Sequence, residues 1–463
     1  MKPLLLVFVF CAAAFARLRA GAASMDITPR EWPVRLIGNF GLTMADSAVD
    51  PLHVRALVFE ENGVEIAIAV VDSCLIKREV MDRAKALASQ KSGIPVSRIL
   101  MAATHTHSAP PSGADKEDSV EGRYVKLIVD QTAAAVAAAH GRLEPASVAY
   151  AVRQVPEELS NRRWFMKEGS IDPDPFGGTT DKVKMNPGAG NPNLLHPSGT
   201  VDPGFSIVSV RNAAGKPLAL LANYSLHYVG GIPANKVSSD YFGEFAKMVS
   251  DRLAPGDPNF VAILSNGTSG DVNNTAFIQP RARQEPMARL REVAARMAGH
   301  AVEAAAAAQY RDSAPVKMAE RELILRYRKP TVEQLAFAKA ALAEPDEKKL
   351  PRNAKAYAER ALALQKGPDT AALKLQAIRV GGFAIAAIPC EVFTEIGLSI
   401  KERSAVRPVF TIELANGHYG YLPTPRHFDL GGYETWLGTN NLEREASVKI
   451  TETLLDLLRA TSN

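Results

Sequence analysis

Residues Val54–Val71 read Val-Arg-Ala-Leu-Val-Phe-Glu-Glu-Asn-Gly-Val-Glu-Ile-Ala-Ile-Ala-Val-Val. Two apolar runs, Val54–Phe59 and Glu65–Val71, flank Glu61-Asn62-Gly63. Asn-Gly tolerates the two successive positive φ angles of a tight hairpin turn, so the stretch predicts two antiparallel neighbours. Outward from it, strand-like runs recur at Ile99–Ala103, Ser147–Val155, Ser206–Val210, Leu218–Tyr224, Val261–Leu264, Val316–Leu325, Leu373–Val380, Phe383–Ile388 and Val409–Leu414. Turn residues Ala213–Lys216 and Gly381-Gly382 mark two further hairpins.

Helical stretches alternate with these runs. Tyr124–His140 is Ala-rich and followed by Gly141, and Met287–Ala304 places its apolar residues on one face. Thr331-Val332-Glu333-Gln334 matches a capping box and starts a helix that ends before Pro345, with a second arm from Ala354 to Leu364. Tyr241–Leu253 follows Ser238-Ser239-Asp240, which reads as an N-cap, and Leu442–Ala460 reads as a closing helix. The hairpins argue against an all-parallel sheet. The expected fold is α/β (α+β): a mixed β-sheet core flanked by helices, one large domain over residues 17–463 with a helical insertion at 331–365.

Composition narrows the function. The chain has 463 residues, 46% hydrophobic and 22% charged, with 54 basic and 50 acidic side chains spread along it. That excludes a disordered chain, and without a long basic tract nothing asks for nucleic acid. Lys2 and the apolar Pro3–Ala14 resemble a signal peptide, with a small-x-small site at Ala14-Phe15-Ala16 and a later one at Ala20-Gly21-Ala22. We expect a leader over residues 1–16, or as far as 22, no transmembrane segment, and a secreted or periplasmic protein. Cys74 and Cys390 end apolar runs and read first as buried small hydrophobes, although an oxidising compartment would let them pair.

Segment 162–203 is rich in Gly, Pro, Asn and Asp and reads as a long loop; Trp164 and Phe165 at its start suggest that it faces a substrate. Chemistry gathers at strand ends. Ile99–Ala103 runs into Thr104-His105-Thr106-His107, and extended chain puts residues i and i+2 on one face. This pair is a metal site, an acid/base pair or a solvated turn. Leu218–Tyr224 runs through Ser225-Leu226 to His227, which alone reads as a core histidine or a ligand. Phe383–Ile388 delivers Glu391, and an apolar run seldom finishes on an acid unless something satisfies the charge. His, His and Glu are ligand types of a catalytic zinc. Leu264–Asn274 is rich in small residues that let backbone approach a ligand, or forms a turn. Tyrosines in the Gly-rich segments Asn416–Tyr421 and Gly431–Glu434 suggest a pocket wall.

The set Thr104–Pro110, Asn223–Gly230, Pro389–Thr394 and Asn416–Tyr421, with the opening Ala22–Pro29, resembles the N-terminal catalytic domain of the neutral (alkaline, non-lysosomal) ceramidases. The segments follow in the family's order over nearly the whole mature chain, and we expect the catalytic domain without the family's C-terminal immunoglobulin-like domain. The resemblance implies a zinc (Zn2+) held by His105, His227, Glu391 and Tyr421, with His107 as acid/base group beside the activated water. It matches Arg162 to the family's Asn-Arg and Tyr433 to a tyrosine that steadies the oxyanion. It also places Asn273 where ceramidases carry a serine. Asn273 is no acyl-forming nucleophile, so direct attack by a zinc-activated water is implied.

The functional expectation is a zinc-dependent amide hydrolase acting on a small-molecule N-acyl substrate. The polar 162–203 segment offers few aliphatic side chains for two acyl chains. An ester or glycosidic bond of a polar hydroxylated compound, or a catalytically silent binding protein, are the alternatives.

Overall fold

The computed structural model describes residues 18–462 apart from positions 39, 40, 115, 281 and 283. The leader expected over 1–16 lies outside the described residues. Four layers stack as helices, sheet, sheet, helices. The larger sheet has the strand order Val261–Asn266, Pro217–Tyr224, Gly204–Asn212, Glu144–Gln154, Arg19–Asp26, His53–Glu61, Val64–Val71, Ile99–Ala103. Both outermost pairs are parallel and the rest antiparallel, so the sheet is mixed, as the hairpins predict. Asn62 and Gly63 have φ of 54° and 75° and close the Val54–Val71 hairpin.

Alternation along the strands builds the layers. Val54, Ala56 and Val58 face the helices Arg78–Ser92 and Val120–Gly141, whereas Leu57 and Phe59 face the second sheet. That sheet has the order Val316–Arg326, Thr370–Val380, Phe383–Ala387, Val409–Ile412, and its outer face is covered by Thr394–Arg403 and Ala446–Ala460. The core is thus a pair of packed sheets where the sequence suggested one. Between the first two strands of the second sheet, Val332–Ala343 and Ala354–Lys366 pair as two helices, with the Thr331–Gln334 capping box formed.

A long strand of the larger sheet escaped the sequence reading. Arg19–Asp26 pairs along its whole length with His53–Glu61. Its residues are small because the helix Val120–Gly141 lies against it: a Cβ on Gly21 would stand 2.2 Å from Ala139 O. The later leader boundary, at Ala22, falls inside this strand.

The site depends on a bend in the larger sheet. Among the described residues its two halves join through two residue pairs, Arg19–Pro145 and Ala20–Glu144. The edge strand Val261–Asn266 comes close to Val64–Val71 and Ile99–Ala103 at the far side. Residues 413–416 stitch these edges together: Glu413 N–H donates to Asn266 O, Ala103 N–H to Leu414 O and Asn416 N–H to Met101 O. Strand ends remote in sheet order therefore open into one place.

Segment 162–203 is not the structureless loop expected. Arg163–Met166, Val183–Met185 and Leu194–Pro197 form a three-stranded sheet. Trp164 is buried against Phe277 and its indole N–H donates to Asn161 O, while Phe165 leans on His196, so both aromatics serve packing. Ser239 precedes helix Asp240–Leu253 without a side-chain cap. Its hydroxyl goes to Asp50, and the buried Asp240 carboxylate accepts from the N–H groups of Val229, Gly230 and Tyr241, pinning the chain that follows His227. Cys74 and Cys390 are buried and unpaired. Among the described residues no helix is long and apolar enough to cross a membrane.

Candidate metal centre

His105, at the end of Ile99–Ala103, is held at φ 77° and is almost fully buried. Such a backbone angle is costly for a residue with a Cβ and marks a position fixed by its surroundings. Its Nδ1 lies 2.7 Å from Cys74 O, and its Nε2 lies 2.9 Å from His227 Nε2. Across the bend, His227 repeats the arrangement, with Nδ1 3.1 Å from Ser269 O. A neutral imidazole that donates Nδ1–H to a carbonyl keeps a lone pair on Nε2, so the two lone pairs face each other. Glu391 Oε2 approaches His105 Nε2 to 3.2 Å and makes no hydrogen bond.

In the neutral, metal-binding form two ring lone pairs and a carboxylate oxygen converge in a buried space and repel one another unless positive charge stands between them, a metal ion or, without one, the proton that His105 retains. The three donor atoms lie within 4.8 Å of one another. The donors of a tetrahedral ion with bonds of about 2.0–2.1 Å stand about 3.3 Å apart, close to the spacings found. Each histidine's carbonyl partner is the outer support that metal-binding imidazoles generally have. The residues fit a metal ion.

Tyr421 joins them because it sits beside Glu391 in a two-strand pairing, Glu391–Val392 with Tyr421–Leu422. Burial and Glu391 push its phenol well above the ordinary range, against the pull of Arg162. His107 Nε2 is 3.3 Å from His105 Nε2, and its ring stacks on Tyr228 at 3.8 Å. Burial and the neighbouring His105 hold its basicity well below that of a free imidazole. Burial and His105 lower His227 likewise. On His105 burial works in the same direction, but Cys74 and Glu391 outweigh it and raise the ring well above its ordinary value. Glu391 stays well below the usual carboxyl range because His105 and His418 overcome its burial.

Arg162 stands on the opposite side. Its Nη1 is 3.4 Å from His227 Nε2, its guanidinium lies 5.3 Å from the Tyr421 ring centre, and its Nη2 is buried without a hydrogen-bond partner. The buried Glu434 carboxylate binds Arg162 Nε at 3.0 Å and also Arg163. Tyr433, next to Glu434, packs 5.6 Å from Tyr421 and lines a pocket. Asn273 stands apart: its hydrogen bonds go to Asn186 and Thr275. The other seven residues singled out from the sequence come together. A larger pocket, about 580 Å³ between helices Arg78–Ser92 and Val120–Gly141, includes none of them.

Several residues escaped the sequence reading. His418 Nε2 lies 3.2 Å from Glu391 Oε1 on the more open side of the cluster. Glu413 accepts from Ser269 Oγ at 2.6 Å and from Val392 N–H at 2.6 Å, tying the carbonyl partner of His227 to the strand of Glu391. Glu413 carries the same signal as Glu391, an apolar strand that ends on an acid. The small residues of Leu264–Asn274 admit the protein's own chain: a Cβ on Gly270 would stand 2.8 Å from Glu391 O.

The fold corresponds to that of solved ceramidases. Neutral ceramidase from Pseudomonas aeruginosa superimposes with a TM-score of 0.69 at 19% identity, covering 96% of this chain and 74% of that one. A ceramidase complexed with C2 gives 0.71 at 18% identity, covering 96% and 75%. The chain has the neutral ceramidase fold. No protein-family profile matches the sequence, and no curated protein matches it.

Proposed function

We propose that this chain is an exported, zinc-dependent hydrolase that cleaves an amide bond of an N-acyl substrate, related to the neutral ceramidases. The observation that supports it most is the 2.9 Å approach of two imidazole Nε2 atoms whose Nδ1 atoms are both committed to carbonyls. His105, His227, Glu391 and Tyr421 would hold the zinc. Zinc there would supply a Lewis acid that lowers the pKa of a water to about 7.

The remaining steps belong to side chains. His107 is neutral at physiological pH because of burial and His105, so its ring can accept a proton from the attacking water and return it to the leaving amine. Tyr228 beneath it fixes the ring plane. Arg162, with one buried N–H group unspent, and Tyr433 stand where charge develops on the carbonyl oxygen. Glu434 orients Arg162. Asn273 acts as a contact on the substrate side through Asn186 and forms no covalent intermediate. A leader over residues 1–16 would send the protein to the periplasm or outside.

A second reading, hydrolysis of an ester or glycosidic bond in a polar hydroxylated compound, draws support from the charged residues around the pocket beside Tyr433. Incubation with a panel of N-acyl amines, acyl esters and glycosides separates the two. Release of fatty acid from the amines, abolished by a chelator, supports the amide reading; release of alcohol or sugar alone supports the second. Zinc binding without turnover on any of them would leave a binding protein.

A further inference from the structure

Beside Tyr433 lies a pocket of about 340 Å³ walled by the 162–203 segment, the helical pair and the turn Gly432–Trp436. Two of its walls touch residues beside the centre. Tyr433 is one wall, packed on Tyr421. Asn186 is another; its N–H donates to Arg162 O and its side-chain oxygen accepts from Asn273. The volume is near the small end of the range of about 300–1,000 Å³ for small-molecule sites.

The lining combines flat apolar surface with converging polar groups. Trp436 is braced at right angles by Tyr357 and Tyr433, and its indole N–H donates to Asp181 Oδ2 at 2.8 Å. Val183 and Met185 continue the apolar face. Asp181 is admitted by Gly431, where a Cβ would stand 2.1 Å from its Oδ1. Asp172 and Lys184 are paired at 2.8 Å, whereas Arg352 makes no ion pair or hydrogen bond among the described residues. Charge in the pocket is therefore balanced, and Asp181, Asn186 and Arg352 keep hydrogen-bonding capacity for a guest.

We infer that this pocket is the substrate subsite of the proposed hydrolase and takes a compact hydroxylated group, such as the sugar of an N-acylated amino sugar. The inference rests on the hydrolase reading of the adjacent centre. A ring lying on Trp436 and Met185 presents its hydroxyls to the carboxylate, amide and guanidinium. A long alkyl chain leaves those groups desolvated and unpaired. Sites built to hydrogen-bond a hydroxyl discriminate strongly against analogues that lack it.

Isothermal titration of the mature protein with N-acetylglucosamine and with N-octylacetamide tests this. The sugar amide is expected to bind roughly tenfold or more tightly than the alkyl amide. Asp181→Asn and the exposed Arg352→Ala should each weaken the sugar several-fold and leave the alkyl amide unchanged. No binding of the sugar amide, tighter binding of the alkyl amide, or sugar affinity indifferent to both substitutions would overturn the inference. His105→Ala keeps the two claims apart: sugar binding that survives in it while zinc is lost upholds the pocket independently of the metal.

Discussion

His105 Nε2 and His227 Nε2 stand 2.9 Å apart although Cys74 O and Ser269 O already engage the other nitrogen of each ring. The strands that carry them lie at opposite regions of the larger sheet, and the bend and the Glu413–Asn416 stitch bring their ends together. The consequences can be measured.

Substituting His105, His227 or Glu391 by Ala removes a donor from the cluster. Each variant should lose most of its zinc along with activity, read as metal per chain after gel filtration. His107→Ala should keep the metal and lose rate by about 10²–10⁴-fold, the usual contribution of a general acid–base group. Full activity in His107→Ala would remove it from the mechanism.

His418 braces Glu391 from the outside. His418→Ala should weaken zinc about 10–100-fold, as loss of an outer support generally does, without loss of folded protein. A competitive chelator titration gives the number; unchanged affinity would make His418 a bystander.

Zinc binding should release protons. His105 is raised well above 6.5, because Cys74 and Glu391 outweigh its burial, and must shed its proton to bind metal. Affinity therefore climbs with pH, about tenfold per unit, until the raised value is passed. Without metal the sign is opposite: the charged ring's contribution to stability is complete below its unfolded pKa and fades as pH rises through the folded one. Calorimetry at pH 7 in buffers of different ionisation enthalpy should show at least one proton released per zinc, and two if Tyr421 binds as phenolate. None released would contradict the account.

Lys85 is fully buried and its amine donates to Asn416 Oδ1 at 2.7 Å, in the turn that leads to His418 and Tyr421. Burial and Lys374 lower it to about 8. The folded protein thus binds fewer protons than the unfolded chain between about 8 and 10.5, and stability rises with pH across that window. Lys85→Met should abolish this slope, and near pH 7 the relief of a charge penalty of about 3 kcal/mol is offset by the stranded Asn416 oxygen, at about 1–3 kcal/mol. Urea unfolding at pH 7 and pH 10 checks both.

Asn273 contacts Asn186 on the pocket wall and no member of the cluster. Asn273→Ala should raise KM several-fold with kcat nearly kept; a large fall in kcat would place it at the reacting carbonyl.

Much of this was readable from local pattern. The strands of Val54–Val71 announce themselves by β-branched runs and an Asn-Gly turn, Ile99–Ala103 by an unbroken apolar run, and the Thr331 capping box is complete in four residues. Arg19–Asp26 was not readable, because the helix packed on it demands Ala, Gly and Ser, residues of low strand preference. Helix Arg78–Ser92 hides for a related reason: Lys85 interrupts its apolar face to serve Asn416, far along the chain. Segment 162–203 looks like a loop because its strands are only three or four residues long. At the site, His105, His227 and Glu391 stood out as polar residues ending apolar strands. Their convergence depends on the sheet bend, which no local signal encodes.

The most direct test of the central claim is elemental analysis of the purified mature protein, with N-acyl amide hydrolysis measured before and after chelation. The account predicts about one zinc per chain, activity lost on chelation and restored by zinc. A protein free of metal, unable to take up zinc, would contradict the His105–His227–Glu391–Tyr421 centre outright.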